Sequence, residues 1–313
     1  MSFTVQQHHV LTFSRNVEHL LQQSGMRLPA YVSQGSYQGK AASPVEQFGT
    51  IGRTRNRARH TDTPHFNVPG NRRWVFPNSV TTSTLIEQLD IQRMLIDLRS
   101  PCTEAIANSL GRGVDDEIGT SFFSAAFTGE NGTISTPFLA AQEVGVNVGG
   151  ANSGLNVPKL RAAKRILMAS GLDLAREQAY IAITSVEHDN LLGELQVTNM
   201  DYNDRPTLVD GRVTSFMGFN FVHVEWQAAE DDGTTPVYPL SVPTIIPGGI
   251  ASLTRNIPCW VASGVHYAQW QGVDVRVDTR PDKNYNTQIW GEMNVGATRT
   301  QEKKVVRIVC NSA

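Results

Sequence analysis

Cysteine is scarce in this 313-residue chain: Cys102, Cys259 and Cys310 are all it has. They are odd in number, widely spaced and without a C-x-x-C pair, which excludes a disulfide framework and a zinc ribbon and leaves reduced, buried thiols as the reading. Long apolar runs are missing as well. None approaches the roughly 20 residues that span a bilayer, so no membrane partner is expected. The opening MSFTVQQHHVLTF has neither the basic region nor the apolar core of a signal peptide, so synthesis and retention in the cytoplasm are expected. There is no basic excess either. With 27 Lys and Arg against 29 Asp and Glu, the chain does not neutralise phosphates over its whole surface, and any nucleic-acid contact is weak or local. Walker loops, Rossmann glycine patterns and G-x-S-x-G elbows are absent, so no cofactor, no metal and no catalytic residue is assigned.

What is present is a globular balance, 18% charged and 40% apolar, over a length that allows two packed substructures. Val17, Leu20 and Leu21 give Asn16 to Gln23 a short helical spacing, with Gly25 as its stop. Pro29 to Gly52 has no sustained period and reads as an extended arm. Ser100-Pro101 opens a helix as N-cap and first residue, with Glu104 in its first turn. Ile106, Leu110, Val114, Ile118 and Phe122 recur every four residues, drawing an apolar stripe down a helix of about 24 residues, roughly 36 Å long. Gly111, Gly113 and Gly119 weaken that helix by up to about 1 kcal/mol each, so packing along the stripe must stabilise it.

Asn131-Gly132 signals a hairpin, and Gly149 to Gly154 reads as a linker and domain boundary. Pro158 to Ser170 is a second amphipathic helix ended by Gly171. Tyr180 to Ile183 is a buried strand leading to a helix capped by Ser185. Val213 to Trp226 holds a glycine-turn hairpin, and Pro236 to Gly249 reads as a long loop. Val273, Val275 and Val277 alternate with polar residues, and Val305 to Val309 closes the chain as an apolar strand. Helices and strands come in uneven blocks, so the class is α+β.

The most unusual stretch is RTRNRARHTDTPHFNVPGNRRWVFPNSVTT. Arg53, Arg55, Arg57 and Arg59 alternate with small or polar residues, which in a strand puts four guanidiniums on one face. Pro69-Gly70-Asn71 is a turn signal, and Trp74-Val75-Phe76 is a return strand. Such a hairpin has almost no apolar face of its own and needs a partner surface.

This order of parts resembles the major capsid proteins of tailed bacteriophages, the Hong Kong 97 type of fold. The helix ending MASGLDL, the strand AYIAITSVEHDNLL and the turn SFMGFNFVHV look like that family's axial domain. WVASGVHYAQWQGVDVRVDT and QIWGEMNVGATRTQEKKVVRIVC look like its return to the peripheral domain. The resemblance implies an N-terminal arm over 1–47, an extended loop over 48–83, a peripheral domain over 84–155 with a spine helix from Ser100 to Phe127, an axial domain over 156–258, and closing strands over 259–313. It implies self-assembly into hexamers and pentamers of an icosahedral head around double-stranded DNA. A portal, a separate scaffolding protein and a decoration protein are the further partners. No lysine occurs between Lys40 and Lys159, so the loop has no amine for an isopeptide bond to a neighbour, and non-covalent staples are expected.

Each sharper reading of a residue has a plainer rival. The four arginines, with Arg72, Arg73 and Trp74 on the return limb, are read as inter-subunit contacts, because arginine suits bidentate carboxylate pairs; DNA or scaffold contact is the alternative. His60, Asp62 and His65 have metal-binding side chains but no metal-site spacing. Glu187, His188 and Asp189 lack a nucleophile and read as a solvated helix start. Beside the phage shell stand two other readings, an encapsulin-like compartment shell and a cytoplasmic enzyme with a lid hairpin.

Overall fold

A computed structural model describes residues 25–55, 59–63, 65–87, 99–174, 176–198, 208–209, 211–225, 241–245 and 251–311. The helical spacing at Asn16 to Gln23 and Arg57 lie outside them. The first strands are β1 (Ser33–Ser36), β2 (Ala42–Phe48), β3 (Gly70–Val75) and β4 (Asn78–Ile86), followed by helix α1 (Arg99–Ser121). Then come β5 (Ala126–Thr128), β6 (Ile134–Thr136), β7 (Glu143–Val144), α2 (Val157–Ala169), β8 (Ala179–Ile183), α3 (Ser185–Leu192) and α4 (Leu195–Thr198). Short strands β9 (Leu208–Val209), β10 (Arg212–Val213) and β11 (Ser215–Phe216) precede β12 (Phe219–His223) and β13 (Ser241–Ile245). The chain closes with β14 (Ala251–Val261), β15 (Val265–Arg280), β16 (Asn286–Arg299) and β17 (Val305–Asn311). Part of the tract read as a loop from Pro236 is therefore strand, because β13 finds a ladder partner in β14.

The chain forms two compact units. Val80–Arg112 and Val273–Met293 belong to one; Met26–Ser79, Gly113–Gly272 and the chain from Asn294 belong to the other. In the first unit, α1 lies against β16 at a glycine. A Cβ on Gly291 would stand 2.7 Å from Ile106 Cγ2 and 2.9 Å from Leu110 Cδ1, so only glycine admits the helix this closely. Gly111 serves the same purpose on the helix, since a Cβ there would meet the backbone of Gly25 at 3.0 Å. All five stripe residues from Ile106 to Phe122 are buried. The helix starts at Arg99, two residues before the Pro101 that its sequence cap makes the first, which moves Glu104 into the second turn. It ends at Ser121, not Phe127, because Ala126 to Thr128 pair as β5 with β3.

The second unit is built on a sheet of order β11-β12-β8-β14-β17-β7. Strand alternation buries both faces. Ile257, Cys259 and Val261 of β14 join Leu160, Ala163 and Leu167 of α2 in one apolar core. Trp260 points the other way and packs against Phe122 with the rings tilted and their centres 4.7 Å apart. Cys259 and Cys310 are buried free thiols and Cys102 is half-buried. Burial raises both buried thiols, Cys310 to about 12. Cys310 lies opposite Arg255 and Cys259 opposite Val306 in the β14–β17 ladder. That offset of four residues is about 13 Å along the strands, beyond disulfide reach.

The glycine-rich segment before α2 is a tied turn, with residues on both sides in the same unit. Ser153 Oγ lies 3.1 Å from both the Val146 and the Val148 carbonyl and shares its one proton between them. Lys159 Nζ, wholly buried, donates to Ser153 O at 2.5 Å and Val309 O at 2.9 Å. The start of α3 also departs from expectation. Thr184, not Ser185, is the cap, and it forms a capping box with Glu187. Glu187 is buried rather than solvated, because the box draws its carboxylate over the helix start and Arg255 Nη1 approaches it at 3.3 Å. Leu110→Ala should cost about 2–5 kcal/mol of stability, measured by urea denaturation of the subunit, since it empties a fully packed site.

Candidate assembly surface

Strands β2 and β3 form an antiparallel ladder from Ala42↔Val75 to Phe48↔Gly70, with a bulge between Ala42 and Val45. Beyond Phe48 the two limbs stay close without a ladder. Gly49 N–H donates to Pro69 O at 2.7 Å, and a Cβ on Gly52 would stand 2.9 Å from the Phe66 ring. The strand expected over Arg53 to Arg59 does not form among the described residues: Arg53, Arg55 and Arg59 are exposed and irregular. The physical reason is the opposing limb, where Pro69 offers no N–H and no core awaits an alternating face. His60, Asp62 and His65 are likewise exposed. Among the described residues no cluster of His, Cys, Asp and Glu is placed to hold a metal ion.

Attention to the arginines missed the apolar residues of this excursion. Phe48 is 77% exposed and Ile51 58%, with Phe66 and Val68 also open. Four large apolar side chains are thus displayed to solvent on one hairpin.

The root of the excursion is held firmly. Arg73 is 3% exposed; its Nε donates to Thr300 O at 2.9 Å and its Nη2 to both oxygens of Glu302 at 2.6 Å. Its charge is engaged within its own chain. Arg72, by contrast, is half-exposed; it pairs with Glu46 at 2.6 Å and lies 6.0 Å from the centre of the Trp74 ring. Trp74 Nε1 donates to Gly129 O at 2.7 Å, which fastens β3 to the β5–β6 hairpin, and Gly132 supplies the room its ring needs. Gln47 Nε2 donates a further hydrogen bond to Thr300 O. Behind the root, Arg299 is wholly buried, donating from Nη1 to Phe122 O at 2.8 Å and Ser124 O at 3.0 Å. Burial lowers its pKa, an effect that Glu302 opposes.

A groove of about 870 Å³ runs along this root, lined by Phe48, Pro69, Ser263, His266, Thr300 and Lys303 among others. His266 is buried with Nδ1 3.0 Å from Ser33 Oγ and Nε2 3.0 Å from the Tyr37 hydroxyl. Ser33 Oγ already donates to Val265 O at 2.8 Å. Its proton is therefore committed, so Nδ1–H donates to Ser33 and Nε2 accepts from Tyr37. Burial holds the imidazole below its ordinary pKa and favours this neutral form.

A model of the phage capsid protein family matches residues 5–312. The chain belongs to that family. Solved capsids share the fold at low identity. The cyanophage P-SCSP1u capsid is 14% identical, with 98% of this chain and 94% of that chain covered and a TM-score of 0.68. The acid-stable capsid of Helicobacter pylori bacteriophage KHP30 is 12% identical, with 97% and 96% covered and a TM-score of 0.70. The capsid of cyanophage Pam1 is 13% identical, with 100% and 99% covered and a TM-score of 0.68. No curated protein sequence matches the chain. The α+β architecture is that of phage capsids, consistent with the Hong Kong 97 type. The capsid protein is a structural shell component of the virion, not an enzyme, and the compartment-shell and lid-enzyme readings are set aside. Among the described residues no helix is long and apolar enough to cross a membrane.

Arg73→Ala should cost roughly 3–5 kcal/mol in chemical denaturation because it strands a largely buried carboxylate, whereas Arg72→Ala at the exposed pair should cost under about 1 kcal/mol. The neutral His266 gives a pH signature. Its folded pKa lies below the unfolded value of about 6.5, so its contribution is complete above that pH and is lost as pH falls through the folded value. His266→Gln should flatten that acid limb of the stability curve, read as thermal midpoint against pH.

Proposed function

We propose that the chain is the major capsid protein of a tailed phage, closing into hexamers and pentamers that tile an icosahedral head around double-stranded DNA. The excursion from Gly49 to Pro69 lies across a neighbouring subunit in the ring. The observation that carries this reading is the contrast within one hairpin: a root locked by Arg73, Glu302 and Thr300, and, from the end of the ladder outward, Phe48, Ile51, Phe66 and Val68 displayed to solvent. A segment this open has little burial of its own to offset the ~1–2 kcal/mol per residue of ordering entropy, and a neighbour supplies it. In this reading the apolar residues provide contact area, while Arg53, Arg55, Arg57, Arg59, Arg72 and Trp74 fix register and partner; Arg73 acts from within as the anchor.

The segments keep the names of the resemblance: arm over 1–47, extended loop over 48–83, peripheral domain over 84–155 and 259–313, axial domain over 156–258. Staples between subunits are non-covalent, since the loop has no lysine. A portal, a separate scaffolding protein and a decoration protein complete the head, assembled in the host bacterial cytoplasm. DNA is touched weakly and without sequence preference, as the net charge of −2 implies.

Negative-stain microscopy of the expressed chain tests assembly, with closed shells or rings as the expected outcome and a dispersed monomer as the contrary one. Limited trypsin digestion tests the loop. Cleavage at Arg53 to Arg59 should be rapid in free subunits and suppressed in shells; equal rates in both states would refute the overlap.

A further inference from the structure

Strand β15 outruns its neighbour on one side. Ser33 to Ser36 of β1 pair with His266 to Gln269 in parallel, and Tyr37 N–H donates to Gln269 O at 2.9 Å. Past Gln269 the strand continues to Arg280, with β16 on its other side. Among the described residues no strand covers the edge over 271–280. The Gln269 carbonyl is directed to that edge. Strand alternation directs the N–H and C=O groups of Val273, Val275, Val277 and Thr279 the same way.

The side chains at the intervening positions share one face. Arg276 lies 5.8 Å from the Trp290 ring centre, and Arg280 Nη1 donates to Gln288 at 2.8 Å. With Asp278 these four residues line one shallow hollow of about 350 Å³. Asp274 joins the same face through its 2.8 Å pair with Arg276. Read along the strand, Asp274, Arg276, Asp278 and Arg280 carry charges minus, plus, minus, plus. Turned end for end, this series is its own complement.

We propose that a second copy of this chain adds its β15 to this edge, antiparallel, across a two-fold axis through Val277. The proposal rests on the capsid reading, with heterologous contacts closing each ring and this isologous one joining ring to ring. In that register Asp274 faces the second copy's Arg280, and Arg276 faces the second copy's Asp278, so four opposite-charge pairs form. Val277 meets Val277, and Val275 meets Thr279, as hydrogen-bonded rungs. The charged pairs then fall on the non-hydrogen-bonded rungs, where side chains approach most closely. A shift of two residues either way sets Asp against Asp and Arg against Arg. A shift of one turns the charged faces apart. Exposed strand edges recruit strands of other chains, and these charges specify which strand and which register. The pairs now present within the chain, Arg276 with Asp274 and Arg280 with Asp282 at 2.6 Å, leave donors of each guanidinium fork free for the second copy.

The test is a charge swap in the full-length chain, comparing Arg276→Asp, Asp278→Arg and the double variant, with the particle fraction read by sedimentation. Each single variant sets like charges on both 276/278 rungs of every contact and should lower the fraction of closed shells about tenfold, with rings or subunits accumulating. The double variant exchanges the two signs, restores opposite pairs across the axis and should recover shells. It still lacks the Arg276–Asp274 pair and the Arg276–Trp290 contact, so recovery can come only from pairing between copies. Thermal midpoints of the unassembled subunits, matching wild type, exclude misfolding of these exposed sites. Normal shells from Arg276→Asp, or a double variant as poor as that single, overturn the edge pairing alone. A wild-type chain that yields no particle counts instead against the capsid-assembly reading beneath it.

Discussion

Arg73 is the constraint on which the hairpin depends. A two-stranded ribbon with an open tip has no core from which to draw stability, and it is marginal in water on its own. Here the cost is met at one end. The Arg73 guanidinium leaves solvent, takes both oxygens of Glu302 and the carbonyl of Thr300, and so ties β3 to the turn that precedes β17. The Gln47 amide reaches the same carbonyl from β2. Both strands of the ribbon are thereby fixed to one backbone oxygen, and Trp74 adds a third tie through Gly129.

Much of this is legible in the sequence. The four-residue stripe from Ile106 to Phe122 identified α1 because burial along one helical face imposes that period. Asn131-Gly132 marked the β5–β6 turn, where Gly132 takes a φ of 69°. The buried strands Tyr180 to Ile183 and Val305 to Val309 followed from composition alone. Where burial sets the pattern, the pattern could be read back.

The failures share a cause. Alternating arginines mimic the period of a strand, but period carries meaning only when one face is buried, and Arg53, Arg55 and Arg59 are all exposed. Strand β2 escaped notice for the opposite reason: its ladder with β3 is anchored by backbone and by Arg73, not by an apolar face. Glu187 was misjudged although Thr184 and Glu187 stand at the spacing of a capping box, because Ser185 offered an equally good cap by type. Its ion partner, Arg255, is 68 residues away in sequence and invisible to local reading.

The two core thiols have a bearing on the life of the particle outside the cell. In aerated surroundings an accessible thiol is slowly oxidised or scrambled into mixed disulfides. Cys259 and Cys310 sit on one side of the same β14–β17 ladder, four rungs apart and sealed beneath α2. They are too far apart to join and too deep to form the reactive thiolate. At Cys259 and Cys310 the core thus carries sulfur as packing material only, and its integrity is indifferent to whether the surroundings are reducing or oxidising.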